Sequence, residues 1–311
     1  KGLPEPRISN HRQSATGLKH INGPVFAELT SEARAEKFPK ITLRVRLYHG
    51  LKRLDLRYEL DKEETTAKEA VYVAFPFAFE VQKGGLWLEY PDAITEPLKD
   101  QHASACRDWF SVQRWLAASD GDATVVLSPL DSPLVTLGGL TGSTWPRRLS
   151  LGRAHVFAYI MNNYWHTNYK ASQGGPFVFR FSLTSHRGAF SKREALARGW
   201  EMFCPPVARH GQGGGRPLLS SAAKELLAVQ PAGLPLLAFK PAEDGTGYIF
   251  RLWDFSGNGG QAILTLPKPA DSVFTCNVVE ANARDAKSRG KTISAPVGAF
   301  GPVTLKVRFE R

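Results

Sequence analysis

The feature that most narrows what this chain can fold into is a period of two. ITLRVRLYHG (41–50) alternates apolar residues with polar or charged ones, and RLDLRYELD (53–61) repeats the pattern. On an extended backbone successive side chains point to opposite faces, so such a run buries one face and leaves the other outside. Gly50, Leu51 and Lys52 between the two runs read as a hairpin connection. AVYVAFPFAFEV (70–81), ATVVLSP (123–129), LVTLGG (134–139), AHVFAYIMN (154–162) and PFVFRFSLTSH (176–186) read as further strands. Pro76 has no ladder donor, which places it at a bulge or on an edge. Gly84-Gly85, Asp120-Gly121, Gly138-Gly139 and Gly174-Gly175 punctuate the runs as turns. Many strands with little helix imply a β-sandwich.

One helix is expected. Ser191 can cap it, Glu194 stands three residues on, and KREALARGWEMF follows before Cys204-Pro205-Pro206 stops it. VARHGQGGGRP (207–217) is Gly-rich without periodicity and reads as a linker. Beyond it LPLLAFKP, GYIFRLWDFS, QAILTLP, SVFTCNVVE and VTLKVRFE form a second strand-rich unit of immunoglobulin-like size. The division expected is a large β-sandwich over 1–206, a linker over 207–217 and a small sandwich over 218–311.

The length of 311 residues suits two domains, and 42% hydrophobic with 22% charged residues is a globular balance. Lys plus Arg exceed Asp plus Glu by 40 to 29, a formal net charge of +11. Such charge favours acidic partners. The basic residues are scattered, however: Arg44, Arg46, Lys52, Arg53 and Arg57 lie along strands, and Arg147, Arg148 and Arg153 form a looser group. Without a run of five or six cations, a solvated basic surface is preferred to a nucleic-acid site. Cys106, Cys204 and Cys276 lack disulfide-framework or metal spacing, which leaves the compartment open between cytoplasm and periplasm or exterior. No apolar stretch is long enough to cross a membrane. Residues 1–20 do not read as a signal peptide, and the opening Lys1 reads as the start of a piece of a longer polypeptide.

Complete catalytic constellations are not legible. The eight histidines never pair at i+2, i+3 or i+4, and HExxH, Cys-x-x-Cys, Gly-x-Ser-x-Gly and Gly-x-Gly-x-x-Gly are absent. Asp92, Asp100, Asp108, Asp120, Asp122 and Asp131 could each supply a carboxyl for glycoside hydrolysis, but turn-capping or solvated roles fit them better. Two blocks are rich in mixed aromatic and polar groups. MNNYWHTNYKASQGGP (161–176) offers Tyr164, Trp165, His166, Asn168, Tyr169, Lys170 and Gln173, a mixture that stacks on sugar faces and bonds hydroxyls, or equally a packed loop whose rings fill a core. DQHASACRDWFSVQRWL (100–116) offers Trp109 and Arg114, and here a role in sealing a domain interface leads.

AVYVAFPF (70–77), DWFSVQRWLAASDGDATVVLSPLDSPLV (108–135) and NNYWHTNYKASQGGPFVFRFSLTSH (162–186) together resemble the C-terminal region of glycoside hydrolase family 38, the α-mannosidases, in its bacterial branch. FKPAEDGTGYIFRLWDFSG (239–257) is similar to that family's terminal β-domain. The resemblance implies a galactose mutarotase-like β-supersandwich followed by a small immunoglobulin-like sandwich. It also implies a parent enzyme with an N-terminal β/α barrel holding zinc and an aspartate nucleophile, for which this chain has no counterparts. No cofactor is therefore expected in the chain itself. The expected partners are that barrel and an α-mannoside or related glycan, with no nucleic acid or membrane. The expected role is a non-catalytic scaffold, with the 162–175 block as a rim of the cleft.

Two other readings stay open. One is an independent carbohydrate-binding module resting on Tyr164, Trp165 and Trp109. The other is a mutarotase- or lyase-like enzyme using His166 beside Tyr164 or Tyr169.

Overall fold

A computed structural model describes residues 16–91, 93–140, 145–163, 170–205, 227–231 and 233–309. The chain divides into two compact units, residues 1–90, 95–191 and 198–204 in the first, and 91–94, 192–197 and 205–311 in the second. The expected 207–217 linker lies outside the described residues.

The strands up to the helix are β1 (Thr16–Asn22), β2 (Phe26–Ala35), β3 (Phe38–Tyr48), β4 (Leu54–Lys62), β5 (Ala70–Glu80), β6 (Gly85–Tyr90), β7 (Ala93–Thr95), β8 (Phe110–Ser111), β9 (Leu116–Ser119), β10 (Ala123–Pro129), β11 (Leu134–Leu137), β12 (Arg153–Asn162) and β13 (Gly175–Arg187). They form a nine-stranded sheet in the order β1-β2-β3-β4-β13-β10-β9-β6-β7 and a four-stranded sheet in the order β5-β12-β11-β8. The core lies between these sheets. Leu60, Leu86, Leu88, Leu116, Leu127, Phe179 and Phe181 come from the larger; Val73, Phe75, Val135, Leu137, Ala154, Val156 and Ala158 come from the smaller. Full burial of each large side chain contributes about 1.5–3 kcal/mol.

The period-two reading is realised in the register. Ile41 opposes Leu60, Leu43 opposes Tyr58 and Val45 opposes Leu56, so apolar residues share one face. Gly50 turns the β3–β4 hairpin at φ 74°, a backbone region open to glycine. Pro76 meets both expectations: β5 is an edge strand, and its pairing with β12 slips between Pro76 and Glu80. Asp120 organises the β9–β10 turn by accepting the Asp122 and Ala123 amides on one carboxylate oxygen. Asp131 likewise accepts the Arg180 amide and both arms of its guanidinium.

The expected helix is α1 (Lys192–Phe203), which begins directly after Ser191. Its Gly199 lies against the ring of Trp115, where a Cβ would overlap the indole. That close approach explains a helix-weakening glycine in mid-helix.

The second unit contains β14 (Ala228–Gln230), β15 (Leu236–Pro241), β16 (Tyr248–Trp253), β17 (Gly260–Thr265), β18 (Ser272–Cys276), β19 (Arg284–Asp285), β20 (Ser288–Arg289), β21 (Thr292–Val297) and β22 (Pro302–Arg308). Its sheets run β14-β17-β21-β20 and β15-β16-β22-β18-β19. Phe250, Leu252, Leu264, Ile293, Leu305 and Val307 fill the space between them. Among the described residues the chain is thus all-β apart from one helix, with two sheets facing each other in each unit.

The KPAEDG turn between β15 and β16 is held by ion pairs. Lys240 reaches Glu243 and Glu280, and Lys306 reaches Asp244. Where β16 ends, Asp254 accepts the Ser256 amide and hydroxyl on Oδ1 and the Gly259 amide on Oδ2. All three cysteines are free thiols. No described helix is long and apolar enough to cross a membrane.

Candidate functional site

The 162–175 block is described only at its two feet; Tyr164, Trp165, His166, Asn168 and Tyr169 lie outside the described residues. Both feet are tied to the segment that follows β4. The buried Asn163 donates its amide to the Glu69 carbonyl and its side-chain Nδ2 to the Thr65 carbonyl. On the other side, Ser172 Oγ accepts the Thr65 amide. Lys170 is exposed, with Nζ 4.0 Å from Glu64, and Gln173 is half-buried. Below these feet Glu69 is clamped by two lysines, Lys37 at 2.7 Å and Lys62 at 2.7 Å. Burial works to raise the Glu69 carboxyl, but hydrogen bonds from the two lysines outweigh it and hold the group below its ordinary value. Asn163 and Ser172 are thus both anchored to the 65–69 segment.

Arg114 has a different place. Its guanidinium makes a fork to Glu89, with Nη2 2.6 Å and Nε 2.9 Å from Oε1, and lies 4.0 Å above the Trp200 ring. Glu89 is 0% and Arg114 8% exposed. Burial pushes the Glu89 carboxyl up, and Arg114 offsets only part of that rise. This arginine packs in the first unit, paired with Glu89 and set over Trp200.

Trp109 belongs to an arrangement that sequence reasoning reached only in part. On β12 the even residues Ala154, Val156 and Ala158 enter the core, so Arg153, His155, Phe157 and Tyr159 face the other way. Tyr159 is paired across the ladder with Tyr72 of β5, and their rings stack at 4.8 Å and 20°. Trp109 stacks on the same Tyr159 at 6.3 Å and 27°. Its neighbours Asp108 and Phe110 are buried, and Asp108 accepts the backbone amide of Trp145, whose side chain is 66% exposed. In the sequence Tyr72 and Tyr159 read only as strand residues. The alternation of 154–162 puts Phe157 and Tyr159 on the non-core face, whereas Tyr72 comes beside Tyr159 only through the register between β5 and β12.

At the other end of the same row, Arg153 and His155 border a cavity of about 490 Å³ with Arg107, Arg148, Gly138 and Leu151. Among the described residues no group of three or more His, Cys, Asp and Glu side chains is placed to hold a metal ion. The outer face of the four-stranded sheet thus offers partly exposed rings at one end and cationic side chains at the other. Such a surface can stack on sugar faces and bond polar or anionic substituents.

Residues 233–307 match the family model for the glycosyl hydrolases family 38 C-terminal beta sandwich domain. An α-mannosidase from Enterococcus faecalis V583 has the same fold over 96% of this chain, with a TM-score of 0.68 and 14% identity. A glycosyl hydrolase family 38 protein from Enterococcus faecalis matches over 96% of this chain with a TM-score of 0.64 and 13% identity. The chain spans 35% and 37% of those two proteins. No curated protein matches the sequence. The resemblance to the C-terminal β region of family 38 glycoside hydrolases is thereby shown.

Proposed function

We propose that the chain is the non-catalytic C-terminal β region of an α-mannosidase-like glycoside hydrolase, supporting a catalytic barrel on the same polypeptide and lending a rim to its glycan cleft. The observation that carries this is the fold shared across 96% of the chain with about a third of the Enterococcus faecalis α-mannosidase. On this reading zinc and the nucleophile belong to the barrel.

A second feature supports a covered surface. The apolar face of the nine-stranded sheet continues outward from the core onto Leu29 and Leu47, which are 39% and 54% exposed. Val25 and Leu51 extend it at the adjacent turns, 61% and 59% exposed. A contiguous apolar surface of this kind marks an interaction site, and the occupant proposed is the barrel. The test is to join the chain to its upstream coding sequence and assay an aryl α-mannoside with zinc. Turnover that is lost when residues 16–309 are deleted supports the reading, and full turnover without them sinks it.

The stack of Trp109, Tyr159 and Tyr72 favours one other reading, an independent carbohydrate-binding module. Calorimetry of the isolated chain against mannobiose and mannan separates the two. Heat at millimolar sugar belongs to the module, and no heat belongs to a surface completed by the barrel.

A further inference from the structure

The loose group Arg147, Arg148 and Arg153, together with Arg107 and His155, has a structural counterpart that the proposed scaffold role does not use. Arg107, Arg148, Arg153 and His155 line one cavity of about 490 Å³, and among the described residues no carboxylate side chain lines it. Six other arginines of the first unit each stand beside a carboxylate. Arg44 and Arg46 pair with Glu28, Arg53 with Asp55, Arg57 with Glu59, Arg114 with Glu89 and Arg180 with Asp131. Among the described residues Arg148 and Arg153 have no such ion pair. Glu80, which opposes Arg153 in the ladder, is engaged by Lys83 at 3.0 Å.

One side of the cavity is held by backbone contacts. Arg107 is held by the backbone, donating Nη1 to the carbonyls of Ala103 and Ala105 and Nη2 to that of His102. Those bonds fix the guanidinium through neutral carbonyl acceptors, with no carboxylate among them. Gly138 forms part of the wall at φ 79°, and a Cβ there would collide with Leu151. His155 and Arg153 stand on β12 at strand spacing, which fixes their separation. Cations that converge without counter-charge repel one another, and an anion of the right size removes that cost. Guanidinium groups present planar forks that match the oxygens of phosphate or sulfate.

We infer that this cavity binds a tetrahedral oxyanion, phosphate or sulfate, either free or esterified to a sugar. The adjoining row of rings on the same sheet face gives the esterified form a place for its sugar. The inference stands on this cavity alone and goes beyond the scaffold role; its failure would leave the fusion assay of that role unaffected.

The test is calorimetric titration of the isolated chain with inorganic phosphate and with sodium sulfate at constant ionic strength. Binding in about the millimolar range or tighter is expected. R148Q/R153Q, two changes at exposed side chains, is expected to weaken it at least about tenfold, while R148K/R153K, which keeps charge without the fork, retains part of the affinity. K52Q is the control, removing one charge from an exposed lysine outside the cavity. No binding by the unmodified chain at about ten times that concentration would overturn the inference. So would R148Q/R153Q binding as tightly as the unmodified chain, or a loss in K52Q equal to that in the double variant. Thermal unfolding of each variant confirms that it is folded. A hexose phosphate that binds more tightly than inorganic phosphate, with the neutral hexose silent, identifies the esterified form; equal affinities identify the free ion.

Discussion

Removing the Arg114 guanidinium would leave Glu89 with no exposed surface and no counter-charge. Breaking a buried pair from one side costs about 3–5 kcal/mol, so Arg114→Met should lower the free energy of unfolding by that much, read as a lower urea midpoint at an unchanged m-value. Asp254 argues through pH. Burial works to raise its carboxyl, but hydrogen bonds from Ser256, Gly259 and Phe300 outweigh it and hold the native group below its ordinary value. Its contribution is therefore complete above the unfolded carboxylate value of about 3.9 and is lost as pH falls through the lower native value. Asp254→Asn should be less stable at neutral pH, and its thermal midpoint should fall less between about pH 5 and pH 2 than that of the unmodified chain. At this scale the sequence was a partial guide. Asp120 and Asp131 read as turn residues and are so. Arg114 read as a residue that seals an interface, and Glu89, its partner 25 positions away, carries no local signal that would announce the pair. Long-range pairing is a property of the fold and leaves no spacing to read.

Elements were the most legible level, because the period of two is a local property. The runs at 41–50 and 53–61 became β3 and β4, and Pro76 sits on an edge strand beside a bulge. What could not be read was the reason for an unfavourable residue in a favourable context. Gly199 interrupts an otherwise good helix, and only the ring of Trp115 beside it explains why. Replacing it by alanine improves helix propensity by about 1 kcal/mol. The added methyl must nevertheless displace a fully buried indole, an overpacking cost of about 1–3 kcal/mol. Gly199→Ala is therefore expected to be net destabilising in thermal or denaturant unfolding, against the propensity scale. The aromatic row on β12 teaches the same lesson. Its alternation was visible, but that Tyr159 would meet Tyr72 and Trp109 depended on a register across two other segments.

For the whole molecule, alternation and turn residues sufficed for an all-β chain of β-sandwiches, and the motif similarity around 239–257 falls within the segment that matches the family's terminal domain. The candidate site was less legible. Its most conspicuous text, 164–169, lies outside the described residues. The surface the structure does place, from Trp109 and Tyr159 to Arg107 and Arg153, is assembled from segments that look unremarkable one at a time. The proposal that this molecule supports an α-mannosidase-type active site without containing one has a direct test. The most direct measurement is turnover of an aryl α-mannoside by the purified chain alone, with and without added zinc. The account predicts no release of the aryl group above the buffer rate in either condition. Zinc-dependent turnover that follows the chain through purification would contradict it.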